Sequence, residues 1–172
     1  MAGHEDRKEQ IIDKAVGIFA ELGYYKATTA QVAKAVGVTQ PYVFHFFKNK
    51  EELFKAVIDR AITRIYETFT QVEAPSDRLM ETMGHAFLQI MESHRDEIIM
   101  VMQAHAISEP MIREYVSEKF RMIHESIIAK FEGAGIPNAE AAASQFIGMG
   151  LLITVSEVLN LPQLLHFKDQ TK

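Results

Sequence analysis

The chain has 172 residues, with 18 Lys plus Arg against 23 Asp plus Glu and a formal net charge of -5. A hydrophobic share of 48% with 24% charged residues fits a folded protein and excludes a disordered one. The lack of Cys excludes a disulfide scaffold, a thiol nucleophile and a thiolate metal site, and the acidic total argues against nucleic acid unless the charge is unevenly spread.

Apolar residues recur at three and four rather than at two, so the prediction is an all-α chain. Residues 6–22 carry Ile11, Ala15, Phe19 and Ile12, Val16, Ala20 as adjoining rows of one helical face. Gly23 then stands where a helix end wants positive φ. Thr28 or Thr29 can cap a short second helix with Val32, Ala33 and Val36 inward, ended by Gly37. Thr39 can cap a short third helix, with Pro41 tolerated in its first turn. Asn49 caps a long fourth helix over about residues 50–72, its first turn holding Glu51 and Glu52. Ala74, Pro75 and Ser76 break the pattern. Helices are predicted at about 76–94, 95–106 and 109–132, then a Gly/Pro break at 133–137. Asn138 caps a last long helix to about Leu159, and one more turn fits 161–167. Residues 1–50 and 73–172 form the predicted domains, joined by the fourth helix, where composition shifts near Tyr66.

The polar start predicts no secretory leader. The longest uncharged stretch, 141–156, is sixteen residues, below the roughly 20 needed to cross a bilayer. A cytoplasmic protein without membrane contact is expected.

Charge is uneven. Residues 1–65 carry ten basic and eight acidic side chains; residues 66–172 carry eight basic and fifteen acidic. Residues 22–50 contain no acid, and they hold Lys26, Lys34, Lys48, Lys50 and His45. Such a window is either a solvated face or a phosphate footprint.

The spacing of residues 29–47 is that of a helix-turn-helix. Ala33 is small where two helices cross, Gly37 permits the left-handed turn, and Val43 and Phe46 point inward. Thr39, Gln40, Tyr42 and His45 then face outward, where a recognition helix meets the major groove.

On these residues the segment 8–57 resembles the DNA-binding domain of the TetR family of bacterial transcriptional regulators. The resemblance is carried by Ile11 to Ala15, Phe19 to Tyr24, Thr28 to Ala33, Gly37 to Thr39 and Val43 to Leu53. It implies that Thr28 and Thr29 cap the second helix and offer hydroxyls to phosphate. Thr39, Gln40, Pro41 and Tyr42 would reach base edges, with Gln40 suited to bidentate adenine readout. His45, Lys48 and Lys50 would approach the backbone. Phe44 stands where the family commonly has Tyr, so it offers no hydroxyl; a thymine methyl is its alternative contact. Phe46, often Tyr in the family, is expected in the core.

Eight of nine Met lie beyond residue 75. Met80, Met83, Phe87 and Met91 form one stripe, with Met100 and Met102 following; Phe120, His124, Ile127 and Phe131 form another, and Phe146, Met149 and Ile153 a third. Each reads as core or as the lining of an adaptable apolar pocket. The resemblance implies a small, largely apolar ligand, with Met83, Phe87, Met91, Met102, His105, Phe120, His124, Phe146 and Met149 as the expected lining. His85, His105 and His124 lack a paired ExxH or HExxH pattern, so neither metal nor cofactor is expected. The small residues of 139–150 suit close helix packing, inside the chain or across a homodimer. The expected dimer residues are Ala142, Phe146, Gly150 and Ile153.

The reading is thus an N-terminal three-helix helix-turn-helix domain followed by a helical bundle for ligand and dimerisation. The expected function is a non-enzymatic, dimeric repressor released from a palindromic operator in double-stranded DNA by a small apolar ligand. The alternatives are an effector-independent dimeric DNA-binding regulator and a helical-bundle enzyme.

Overall fold

In a computed structural model the chain is all-helical over the described residues, 2–165. Eight α-helices follow in order: α1 Ala2–Lys26, α2 Thr29–Val36, α3 Gln40–Phe44, α4 Lys50–Gln71, α5 Leu79–Ser93, α6 Arg95–Ala104, α7 Pro110–Gly133 and α8 Ala139–Leu159. A 3₁₀ turn, Pro162–Leu165, follows. It covers part of the turn expected at 161–167; Phe167 lies outside the described residues.

The helix ends follow local chemistry. Gly23 has φ 71° and breaks α1 before its last turn. After α2, Gly37 takes φ 77°; its N–H reaches Lys34 O and the N–H of Val38 reaches Ala33 O, the paired bonds of a Schellman ending. Asn49 Oδ1 accepts from the N–H of Glu52 at 2.8 Å, and Glu52 Oε2 accepts from the N–H of Lys48 at 2.9 Å. Asn138 departs from its expected role: it is left-handed, with φ 51°, and its side chain makes no capping bond. A cap oxygen needs extended backbone to reach the next turn's N–H, and that φ withholds it.

The contacts divide the chain into two compact units, residues 1–64 with 94–119, and residues 65–93 with 120–172. The break within α4 lies next to Tyr66. The other break differs from the predicted domains: α6 and the start of α7 fall in the first unit, with α1 to α3 and the first part of α4. In this first unit the core runs through Ile11, Ala15, Phe19, Leu53, Phe54, Val57, Ile58 and Ile112. Phe19 and Tyr24 both meet Phe54 edge to face, at 5.1 and 5.0 Å. Glu97 of α6 is 5% exposed. Its carboxylate lies 2.8 Å from Arg64 Nε and 3.0 Å from Arg60 Nε, both on α4. Arg60 in turn reaches Asp13 and Glu9 of α1. A buried carboxylate is tolerable only with such partners.

The second unit is built on aromatic packing. Phe146 of α8 meets Phe69 of α4 at 5.1 Å and Phe131 of α7 at 6.0 Å, edge to face, and Phe69 also neighbours Phe87 of α5 at 6.2 Å. The buried hydroxyls are satisfied within the chain: Thr154 donates to Gly150 O and Ser156 to Leu161 O. By length and composition alone α8 could cross a membrane, longer than the sixteen-residue stretch suggested; 22% of its apolar stretch is buried in the unit.

Candidate nucleic-acid interface

Helices α1 to α3 form the frame of the site. Ala33 is 2% and Val43 0% exposed where α2 and α3 meet. Thr28 caps α2: its hydroxyl accepts from the N–H of Gln31 at 3.2 Å, and Gln31 Oε1 accepts from the N–H of Thr28 at 2.8 Å. This is a capping box with Gln in place of the commoner Glu.

The third helix has one dry and one wet side. Val43 is buried, and Phe47 just beyond the helix is 3% exposed. Thr39, Gln40, Pro41, Phe44 and His45 are exposed together, and Tyr42 is half-buried. Phe46 is half-buried, so the core position expected for it belongs to its neighbour Phe47. The two adjacent Phe residues satisfy the apolar spacing almost equally. The turn after α3 decides between them: the N–H groups of Phe46 and Phe47 both reach Val43 O, at 3.0 and 3.1 Å.

The structure brings the expected DNA-facing residues together and alters several roles. Thr29 is 6% exposed, and its hydroxyl accepts from Gln40 Nε2 at 2.8 Å. It therefore holds the Gln40 side chain and is itself buried. Thr28 spends its hydroxyl on the cap. Thr39 is exposed and makes no side-chain cap bond. Lys48 is exposed and loosely paired with Glu52, at 3.9 Å. Lys50 does not project freely: Nζ donates to Tyr24 O at 2.8 Å and Tyr25 O at 3.5 Å, and it lies 4.4 Å from the Tyr24 ring centre. An ammonium has three N–H donors, so one remains for a phosphate.

The expected ligand and dimer residues are spread differently. Met83, Phe87, Met91, Phe120, His124, Phe146 and Met149 belong to the second unit; Met102 and His105 belong to the first. Met83, Phe87, Met91 and Phe146 are buried core. His124 Nε2 is 3.2 Å from Ser144 Oγ, and His105 Nδ1 is 3.1 Å from Met102 O. Partial desolvation lowers the His105 pKa, opposed by that backbone bond. Of the expected dimer stripe Ala142, Phe146, Gly150 and Ile153, Phe146 packs inside the unit, and a side chain on Gly150 would meet the Phe87 ring at 3.7 Å. The outward stripe of α8 is instead Ser144, Gly148, Leu151, Val155 and Val158, with Leu159, Leu161 and Leu164 also exposed beyond it. Among the described residues no group of three or more His, Asp or Glu side chains is placed to hold a metal ion.

Three features of this surroundings were not singled out from the sequence: Phe47, Phe69 and the Glu97 ion-pair node. Glu97 sits in the first turn of α6, where an acid ordinarily reads as an exposed dipole partner. The Arg at 60 and 64, one helical turn apart, was the available signal.

Comparison with known proteins agrees with this frame. Residues 11–57 match the family model of the bacterial regulatory proteins of the tetR family. An uncharacterised HTH-type transcriptional regulator, YhgD of Bacillus subtilis, is 28% identical over 130 residues, 74% of this chain and 68% of that one. The fatty acid metabolism regulator protein of the same organism is 31% identical over 94 residues, 52% of this chain. The match spans about half, 48%, of that relative's length. The crystal structure of the transcriptional regulator FadR from Bacillus subtilis, in complex with stearoyl-CoA, superposes with a TM-score of 0.67 at 22% identity, covering 88% of each chain. That last likeness is one of fold.

Proposed function

We propose that this chain, whose residues 11–57 place it in the tetR family of bacterial regulatory proteins, is a dimeric transcriptional repressor of the bacterial cytoplasm and not an enzyme. The observation that carries the reading is the exposed row Thr39, Gln40, Pro41, Phe44 and His45. It lies on a short helix braced by α2, inside a window free of acid. Thr39 and Gln40 read base edges, Phe44 meets a thymine methyl, and Lys48 and Lys50 hold the backbone.

One such helix contacts too few base pairs for a specific site. Two copies reading half-sites about 34–36 Å apart solve this. The outward stripe Gly148, Leu151, Val155 and Val158 of α8 supplies the seam: an apolar helix face left uncovered in one chain is stabilised by burial against a second. The second unit takes an apolar ligand among Met83, Phe87, Met91, Phe120, His124, Phe146 and Met149. A relative solved with stearoyl-CoA makes a long acyl thioester the first ligand to try. Ligand lowers DNA affinity by favouring a state with the two recognition helices misplaced, and DNA lowers ligand affinity by the same factor.

The test is a mobility-shift titration on the DNA upstream of the chain's own gene, repeated with stearoyl-CoA. Preferential retardation over random duplex, relieved by the thioester, is the expected result. No preference over random DNA sinks the regulator reading. Preference that survives demonstrated occupancy by stearoyl-CoA sinks the acyl switch alone.

A further inference from the structure

The first turn of α1 is not part of the family match, which begins at Ile11. Its His4 nevertheless lies against the end of the recognition helix. The His4 and Phe46 ring centres are 4.5 Å apart, with planes at 37°. Phe46 meets Tyr42 edge to face at 5.5 Å, and Tyr42 meets His45 at 6.2 Å. Phe46 also lies 6.5 Å from Phe47, which is anchored in the core. Four rings thus form a continuous row from α1 into the reading helix, and His4 is its outer end.

We propose that His4 is a positioning residue for DNA reading, resting on the assignment of α3 as the reading helix. Phe46 is half-buried and has the core on one side through Phe47. It also meets the His4 ring from the first turn of α1. Holding Phe46 limits the rotamers of the half-buried Tyr42, one of the residues proposed for base edges. A side chain fixed before binding loses less entropy on binding. Sequence-specific contacts depend on that fixed geometry, whereas random DNA is held through phosphates. His4 therefore acts through ring packing and sets selectivity rather than bulk affinity. Of the nearby acids, Glu5 pairs with Lys8 at 3.9 Å, and Glu9 and Asp13 face Arg60.

The experiment compares His4→Ala and His4→Phe in the full chain. Binding is measured to the shortest upstream duplex that the parent prefers and to random duplex of the same length. An aromatic pair of this kind corresponds to about a two- to tenfold change in an equilibrium constant. His4→Ala is expected to lose about that factor on the preferred duplex and nothing on random duplex. His4→Phe, which keeps a ring without a charge, is expected to restore parental binding. Equal losses on both duplexes, or a His4→Phe variant as weak as His4→Ala, overturn the proposal in favour of a phosphate contact. An unchanged His4→Ala overturns it outright. Thermal unfolding of both variants separates loss of fold from loss of selectivity. A parent chain that prefers no DNA overturns the reading-helix assignment and this inference together; a parent that does, beside an indifferent His4→Ala, overturns this inference alone.

Discussion

Gln40 donates from Nε2 to the hydroxyl of Thr29 at 2.8 Å, from the first residue of the recognition helix to the first residue of the helix behind it. The bond uses one of the two amide N–H groups. The second N–H and Oε1 remain, which is the pair that adenine N7 and N6 require. Thr29 thus fixes the plane of the amide before DNA arrives. Gln40→Ala is expected to relax preference at one base position, by roughly 1–3 kcal/mol. Thr29→Val keeps the buried shape and removes the acceptor, so it is expected to give a smaller loss at the same base. In the double variant the Thr29 effect disappears. Binding to duplexes varied one base at a time checks this, and additive losses would show that the bond does not orient the reading amide.

Lys50 holds the last turn of α1 through Tyr24 O, and a contact to phosphate is the second task proposed for it. Lys50→Met is expected to weaken all duplexes and to reduce the magnitude of the salt slope by about one. It is also expected to lower stability by about 1 kcal/mol, the worth of an ordinary hydrogen bond or somewhat more. Salt titrations and urea unfolding of the same preparation measure the two effects separately. A stability loss with an unchanged salt slope would leave Lys50 as a helix-end tie alone.

Much of this was legible in the sequence, for physical reasons. The breaks at Gly23, Gly37 and 74–76 follow from residues whose backbone preferences few contexts override. The reading face followed from the offset between Gly37, Val43 and the polar residues between them. Position along a helix was less legible than existence. Phe46 and Phe47 differ by 100° of helical turn, and an irregular turn after α3 swaps their burial. The α8 stripes failed similarly: nearly every side chain there is apolar or small, so periodicity does not say which stripe faces in. Only the contacts of Phe146 with Phe69 and Phe131 settle it. The pairing of Glu97 with Arg60 and Arg64 spans more than thirty residues, so the Arg spacing on α4 does not by itself name its acid.

Glu97 is the acid that the first unit can least lose. Its carboxylate is 6% exposed, against 20% and 36% for the side chains of Arg60 and Arg64. Glu97→Gln keeps the shape, takes the carboxylate from Arg64, and leaves Arg60 only the more exposed Asp13 and Glu9. Removing one partner of a buried pair costs about 3–5 kcal/mol. Water reaches both Arg side chains, so the low end or somewhat less, about 2–3 kcal/mol, is expected here. Urea midpoints at constant m-value read it directly. Arg64→Met beside Glu97→Gln should recover part of the loss, since it removes a charge left without its counterpart.

His105 gives a pH prediction of definite sign. Desolvation holds its folded-state pKa below the ordinary 6.5, so the folded chain favours the neutral ring and the unfolded chain takes up the proton first. Its contribution to stability is therefore present above about pH 6.5 and is lost as pH falls from there through the lower folded value. His105→Gln cannot titrate. Between about pH 7.5 and 5.5 its urea midpoint is expected to fall less than that of the parent. An identical fall in both would assign the acid sensitivity to other groups.

Gly148 and Gly150 lie two residues apart on α8 and so about 200° apart around the helix. A side chain at Gly148 meets nothing within 4 Å inside the chain, whereas one at Gly150 runs toward Phe87 at 3.7 Å. Gly148→Phe should therefore leave the single chain folded, and replacing a helical Gly by Phe even favours the helix by about 0.5 kcal/mol. In a seam of closely approaching helices the same ring would hold the two copies apart. The expected outcome is a monomer by light scattering, with unchanged far-UV circular dichroism and loss of the preferred-duplex complex. Random-duplex binding, which needs only one basic surface, should largely remain. Gly150→Phe should act in the opposite order, lowering stability first through displacement of Phe87. A Gly148→Phe chain that stays dimeric and keeps its DNA preference would move the seam away from this face of α8.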